Sequence, residues 1–283
     1  MDKIFVPPIK IQGIKTKLFP LIKKNVSLNE NTVWIEPFMG SGVVGFNIKQ
    51  QRAIFSDINP HLINFYNALK LKKISHTTIK NFLLEEGNIL SERGEIYYYE
   101  VRDRFNCNHH PLDFLFLNRA CFNGMIRFNR KGQFNVPYCH KPQRFSKAYI
   151  TKITNQVEYV EKCLYHCDWN FVCQDFQKTL RQARKFDDVL IYCDPPYIGR
   201  HVDYYDSWNE DSEITLCKNL KENNQPFILS TWDHNKFREN HYIENIWGFC
   251  DKITQEHFYY VGAKEINRHS ITEAILINFH IER

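Results

Sequence analysis

No stretch of this 283-residue chain is long and apolar enough to cross a membrane: its apolar runs, such as Phe114–Leu117, fall far short of the ~20 residues a helical span requires. The segment Met1-Asp2-Lys3-Ile4-Phe5 lacks the apolar core and small-residue cleavage site of a secretory signal. No Cys-x-x-Cys pair occurs among the nine cysteines, and Cys163, Cys167 and Cys173 are not spaced as in a zinc ribbon. Free thiols in a reducing cytosol are therefore expected, with no structural metal. Asp-x-Lys and Glu-x-Lys are also missing, which removes the pattern by which many restriction nucleases hold magnesium. Internal repeats and low-complexity tracts are lacking. The most informative absence is local: from Phe114 to Val157 there is no Asp or Glu.

That acid-free stretch carries Arg119, Arg127, Arg130, Lys131, Lys141, Arg144, Lys147 and Lys152, interleaved with Phe122, Phe128, Phe134, Tyr138, Phe145 and Tyr149. Cations neutralise phosphates and aromatic faces stack on bases, so one reading is a nucleic-acid surface. The other is a solvated basic face over an aromatic core. The formal charge of +5 alone does not decide between them.

Hydrophobic residues make up 43% and charged residues 24%, enough for a packed core. Short apolar runs at Val33–Ile35, Ala53–Ser56, Asn170–Cys173, Val189–Cys193, Phe227–Ser230, His257–Val261 and Ala274–Phe279 read as strands. Helical patterns alternate with them at Val43–Lys49, Phe176–Arg184, Ser212–Lys221 and His234–Arg238. The alternation predicts an α/β, doubly wound, Rossmann-like sheet. One interval breaks the rhythm. A strand–helix–strand unit needs about thirty residues, yet Ser56 and Asn170 stand much further apart. Residues 61–162 are therefore read as an inserted, mostly helical domain, with helices at Leu62–Leu71, Ile79–Leu84, Ile96–Phe105 and Leu112–Cys121. It carries a β-hairpin at 127–134, where Gly132 can take positive φ. Residues 1–60 and 163–283 form the sheet domain. At the hairpin tip, Asn129, Arg130 and Lys131 are candidates for base or phosphate contact.

Glu36-Pro37-Phe38-Met39-Gly40-Ser41-Gly42-Val43-Val44-Gly45 follows a strand and opens a helix. Glycines let the backbone approach a ligand, and a carboxylate at the next strand end, Asp57, can accept both hydroxyls of a ribose. The pattern fits a nicotinamide dinucleotide and S-adenosylmethionine equally well. A second motif separates the two. Val189–Cys193 runs straight into Asp194-Pro195-Pro196-Tyr197, and the prolines stiffen a rim from which the Asp194 carboxylate and the Pro195 carbonyl can both accept hydrogen bonds. An exocyclic amine of adenine, or of cytosine, delocalises its lone pair into the ring and is a poor nucleophile. Two acceptors on its N–H groups localise that pair, and Tyr197 can stack on a flipped base. The amine then attacks the methyl group of a sulfonium.

At this point the chain resembles the Dam-type family of DNA adenine-N6 methyltransferases. The similarity runs over nearly the whole length: Glu36–Gly42, Asp57–Asn64, Leu117-Asn118-Arg119-Ala120-Cys121-Phe122-Asn123-Gly124, Gly132–Pro137, Cys173–Phe176, Asp194–Tyr197, Asn267-Arg268 and Glu273–Asn278. The motif order resembles the family's α-group. The resemblance implies S-adenosylmethionine as cofactor, with Lys10, Gly13 and Lys15 closing its site, Glu36, Pro37, Phe38, Gly40 and Gly42 in the loop around it, Asp57 and Ile58 at the ribose, and Asp175, Phe176 and Asp194 completing it. It implies duplex DNA as substrate, read through Arg119, Asn123, Arg127, Asn129, Arg130, Lys131, Asn135, Pro137, Tyr138 and Lys141. The chain has Ile11, Ile14 and Cys139 where the family commonly has Trp, Gly and Gly. The expectation is a site-specific, base-flipping N6-adenine DNA methyltransferase of a restriction–modification system, cytoplasmic, monomeric by default and with an independently acting cognate endonuclease. The alternatives are N4-cytosine methylation, an RNA substrate, a DNA-binding regulator without catalysis and a nicotinamide oxidoreductase.

Overall fold

The computed structural model describes residues 3–198, 208–258 and 270–279. Among these, seven strands form one sheet: β1 (Val33–Glu36), β2 (Arg52–Asp57), β3 (Asp168–Cys173), β4 (Val189–Cys193), β5 (Phe227–Asn235), β6 (Asp251–Phe258) and β7 (Ser270–Ile277). Their order is β3-β2-β1-β4-β5-β7-β6. The first five run parallel, and β7 lies antiparallel between β5 and β6. The helices are α1 (Phe19–Lys24), α2 (Val43–Ile48), α3 (Pro60–Lys70), α4 (His76–Asn108), α5 (Pro111–Ala120), α6 (Lys147–His166), α7 (Phe176–Ala183), α8 (Glu210–Asn223) and α9 (Tyr242–Trp247). This is the doubly wound α/β sheet that the sequence predicts.

Alternate strand residues point to opposite faces, so each strand feeds two cores. Trp34, Phe55, Trp169, Leu190 and Tyr192 join the side covered by α2 to α6. Val33, Ile35, Ile191, Phe227 and Leu229 join the side covered by α7, α8 and α9. Burial on both faces explains why β1 and β4 read as continuous apolar runs. Gly45 lets α2 close onto β2. A Cβ there would lie 2.4 Å from Phe55 Cε1 and 2.7 Å from Glu36 Oε1. Gly45→Ala should therefore cost roughly 1–3 kcal/mol of stability, seen as a lower urea midpoint at unchanged m-value. A midpoint equal to wild type would mean the helix backs away freely.

Between β2 and β3 the chain builds α3 to α6. Ser75 caps α4 reciprocally with Thr78, and α4 bends at Gly94, where φ is 57° and ψ −130°. Gly94 is not helical, so the two helices expected at 79–84 and 96–105 are present as the two arms of α4 on either side of that kink. α5 is buried from Asp113 to Ala120. Asp113 is tolerated there because both its oxygens accept from Arg104, at 2.6 and 3.0 Å. Leu83, Leu90, Tyr98, Phe105, Phe114 and Phe116 share one apolar cluster with Phe46, Phe55 and Trp169, so this block packs onto the sheet. The hairpin closes through the Phe128–Phe134 bridge, with Gly132 at φ +74°.

Two element expectations need correction. Residues 234–238 are not helical: β5 continues to Asn235, whose Oδ1 then accepts the N–H groups of Phe237 and Arg238 to form a turn. The strand expected at 257–261 begins earlier, at Asp251. Its residues beyond 258, and Asn267-Arg268, lie outside the described residues.

Candidate active site

On either side of β1 and β4 the strand order proceeds in opposite directions across the sheet. Their carboxyl ends therefore border a crevice, the usual ligand site of such sheets. β1 ends at Glu36 and leads into the glycine loop; β4 ends at Cys193 and leads into Asp194-Pro195-Pro196-Tyr197. The fold thus brings together two motifs that lie far apart in the chain.

The glycine loop is fastened from two sides. Met39 N–H donates to the Ser56 carbonyl at 2.8 Å, and Gly42, at φ +72°, donates to the Met39 carbonyl at 2.8 Å. A Cβ on Gly42 would stand 3.0 Å from both Met39 Cε and Phe46 Cζ. Asp57 closes the other side: Oδ2 accepts the Gly40 N–H at 2.9 Å and Oδ1 the Asn59 N–H at 2.9 Å. Asn59 in turn caps α3. Asp57 therefore clamps the loop, and its carboxylate retains acceptor capacity for a hydroxyl. Burial pushes its carboxyl pKa up, while the N–H groups of Asn59, Gly40 and Ile58 pull it back.

Asp175 is exposed and caps α7, accepting the Lys178 N–H at 3.0 Å. Beside it, Phe176 stacks on Phe38 with ring centroids 5.3 Å apart. Trp208 meets both edge-on, at 5.4 Å from Phe38 and 5.6 Å from Phe176. Sequence reasoning named Phe38 and Phe176 but missed their stacking, the Trp208 ring against them and the residue behind it. Glu213 is buried on α8 and accepts the indole N–H groups of Trp208 at 2.6 Å and Trp247 at 2.8 Å. Nothing in the spacing of α8 distinguishes Glu213 from its acidic neighbours. Apolar ring faces, a close-approach backbone and a carboxylate beside them suit a purine nucleoside with free ribose hydroxyls.

At the end of β4, Lys15 is buried and its Nζ lies 2.9 Å from Asp194 Oδ1. The same Nζ donates to the Gly13 carbonyl at 2.9 Å and sits 5.0 Å from the Tyr197 ring centroid. Gly13 and Lys15 thus stand at Asp194. Burial raises the Asp194 pKa, Lys15 opposes that rise, and Glu273 adds to it. Glu36 is buried against Trp34 Nε1 at 2.9 Å, and burial pushes its carboxyl from the usual 4.5 to about 8. Tyr192 points below the rim, hydrogen-bonded to Ser230 Oγ at 2.7 Å. Removing the Lys15 charge takes away the influence that lowers the Asp194 pKa. Lys15→Gln should accordingly move the acid limb of the kcat profile to higher pH, because the Asp194 pKa rises. An unmoved limb would show that Asp194 does not titrate in that step.

Lys10 requires correction. Its backbone is clamped by Asn118, N–H to Oδ1 at 2.8 Å and Nδ2 to the carbonyl at 2.9 Å, and its side chain enters a separate cavity with Arg119 and Arg144. It does not join Lys15 at the strand ends.

The proposed DNA readers divide sharply. Asn123, Arg130, Lys131, Pro137 and Lys141 are exposed. Arg119 is buried and donates to the carbonyl of Pro8. Arg127 is spent on Asn135, Nε to Oδ1 at 2.8 Å and NH2 to the carbonyl at 3.1 Å. The Asn129 Oδ1 accepts the N–H groups of Lys131 and Gln133, at 2.9 and 3.0 Å, and so builds the turn. Tyr138 is buried, stacked on Tyr98 at 5.2 Å. As direct base readers, Arg119, Asn129 and Tyr138 are corrected: the helix core, the turn and the ring stack already hold their side chains. Trp232 is half-buried, and neighbouring Asp233 pairs with Lys252 at 2.9 Å. Among the described residues, no group of three or more His, Cys, Asp or Glu could hold a metal ion, and no helix is long and apolar enough to cross a membrane.

Comparison with known proteins bears on the chain's family. A DNA adenine methylase of Haemophilus influenzae is 35% identical over 198 residues, covering 68% of this chain and 63% of that protein. One from Vibrio cholerae is 34% identical over 194 residues, covering 67% of this chain and 64% of the relative. The match thus spans somewhat less than two thirds of those relatives' length. The retron Ec67 DNA adenine methylase of Escherichia coli is 30% identical over 253 residues, covering 83% of this chain and 82% of the relative. A solved rRNA methyltransferase from Streptomyces viridochromogenes covers 95% of this chain, and is itself covered to 88%, at a TM-score of 0.40 and 11% identity. A family model of D12 class N6 adenine-specific DNA methyltransferases matches residues 12–258. That span includes both strand-end motifs and the block between them, and the chain belongs to this family.

Proposed function

We propose that this chain transfers a methyl group from S-adenosylmethionine to N6 of an adenine flipped out of duplex DNA. The observation that carries the reading is the meeting of Asp194, ion-paired to Lys15, with the Asp57-clamped glycine loop at one crevice. Asp57 would accept the ribose hydroxyls, with Phe38, Phe176 and Trp208 beside the adenine ring of the cofactor. Bound there, S-adenosylmethionine supplies an electrophilic methyl group. Asp194 and the Pro195 carbonyl would accept the two N–H groups of the target amine, draw its lone pair out of the ring and favour the positive charge that develops on nitrogen. Tyr197 would stack on the flipped base. The methylated, cationic nitrogen is strongly acidic and releases its extra proton to water, so no strong base is required.

The reading extends to residues 61–162 as the target-recognition part, with Asn123, Arg130, Lys131, Pro137 and Lys141 as its exposed DNA contacts. A cytoplasmic monomer that protects sites against a separately acting restriction endonuclease completes the proposal. It is tested by sequencing DNA from cells expressing the chain with a method that reports modified bases, and by weighing the modified nucleoside. N6-methyladenine at one sequence context is expected. N4-methylcytosine, or no modified base, would overturn it.

A further inference from the structure

We propose that Glu213 is a positioning residue for the nucleoside end of the cofactor: its carboxylate fixes the Trp208 indole as one wall of the aromatic slot formed with Phe38 and Phe176. The proposal rests on the reading above that this slot takes the adenine ring of S-adenosylmethionine. Phe38 lies just after β1, Phe176 at the start of α7 and Trp208 just before α8. The two phenyl rings are inclined by only 26°, and Trp208 meets Phe38 at 86°. All three are half-buried against the core under α7, α8 and α9, so part of each ring stays accessible to a ligand.

Asn209 caps α8, which makes Trp208 the residue before the cap and Glu213 the fourth residue of the helix. An apolar side chain at that fourth position often packs on an apolar one before the cap. Here the fourth position carries a carboxylate that is only 6% exposed. Burying an acid is costly, and burial raises its pKa while the two indole N–H groups lower it. Glu210 and Asp211, exposed in the same turn, already complement the positive end of the helix. What Glu213 alone supplies is a pair of acceptor oxygens, one for each indole. Oε2 takes the Trp208 N–H at 2.6 Å and Oε1 the Trp247 N–H at 2.8 Å. Trp247 is 1% exposed on α9 and packs against Phe227. The sealed indole thus anchors the carboxylate, and the carboxylate anchors the indole at the rim.

Glu213→Gln, made in the full-length protein, keeps the shape of the side chain but offers one acceptor oxygen and one NH2 group. The oxygen should stay with Trp247, because an N–H sealed in the core has no water to turn to, whereas Trp208 lies at the rim. Trp208 then faces a donor and leaves its place. Calorimetry gives the affinities for S-adenosylmethionine and for adenosine, with thermal melts alongside. Both dissociation constants should rise roughly tenfold, since both ligands present the same ring. The KM for S-adenosylmethionine should rise far more than kcat at saturating cofactor falls. Trp208→Phe keeps a ring and removes the N–H that the amide would oppose. In that background Glu213→Gln should change either affinity by less than about twofold. Equal losses in both backgrounds would overturn the proposal, because Glu213 would then act through the fold rather than through Trp208. So would a glutamine variant that binds both ligands as wild type does. A third measurement needs no Glu213 variant: the Trp208 indole N–H resonance, assigned by its loss in Trp208→Phe, should shift when adenosine binds to the wild type, and an unmoved resonance also overturns the proposal. A wild-type chain that binds S-adenosylmethionine but transfers no methyl group to DNA fails the functional reading and leaves the positioning role standing.

Discussion

Asp194→Ala should lower kcat by about 10²–10³-fold while duplex and cofactor affinities stay near wild type. The carboxylate would act on the amine where charge develops, so its loss belongs to the transition state rather than to ground-state binding. The substitution also strips Lys15 of its 2.9 Å partner. The buried ammonium then loses that counter-charge, and some stability should be lost with the activity. Asp194→Asn separates the two effects, because it keeps one acceptor oxygen while removing the charge; it should retain more activity than alanine. Single-turnover methylation with a pre-bound duplex, read beside thermal melts, makes the distinction. An alanine variant within tenfold of wild type in kcat would reject the assignment of Asp194.

Asp57→Ala should show the complementary pattern. Its carboxylate would face the cofactor hydroxyls while holding the N–H groups of Gly40 and Asn59. Loss of charge-assisted hydrogen bonds of about 1.5–3 kcal/mol should weaken S-adenosylmethionine by roughly 10²-fold. Leaving two loop N–H groups without their acceptor costs a further ~1–3 kcal/mol of folding stability. The signature is a raised cofactor Kd and KM with kcat at saturating cofactor close to wild type. A reduced kcat at unchanged Kd would instead place Asp57 in the methyl-transfer step.

The sheet and its strand-end motifs were legible in the sequence because their causes are local. A strand buried on both faces must be apolar throughout, as Val189–Cys193 is, and a loop that needs positive φ must offer glycine, as Gly42 does. The destination of the basic residues was not legible. Arg119 sits within Phe114-Leu115-Phe116-Leu117-Asn118-Arg119-Ala120, a helix buried on every side, and that apolar context was the available sign that it points inward. Asn129 is a turn former as well as a base reader by chemistry, and only the fold reveals which use its side-chain oxygen serves. The Lys15–Asp194 pair and the Glu213–Trp247 hydrogen bond join residues distant in sequence, and no periodicity encodes them. Lys10 and Lys15 occupy one short segment yet serve different cavities, a separation that depends on how Asn118 grips the backbone at Lys10.

The placing of β7 between β5 and β6 sets the order in which the sheet can be completed. The last of the three to be synthesised, β7 fills the middle slot. Until residues 270–277 are made, β5 presents an open row of amide and carbonyl groups, and β6 has no described strand to pair with. The sheet is completed by insertion of a wedge rather than by addition at its rim. Until that strand is in place, two strand margins able to pair with other chains stand open.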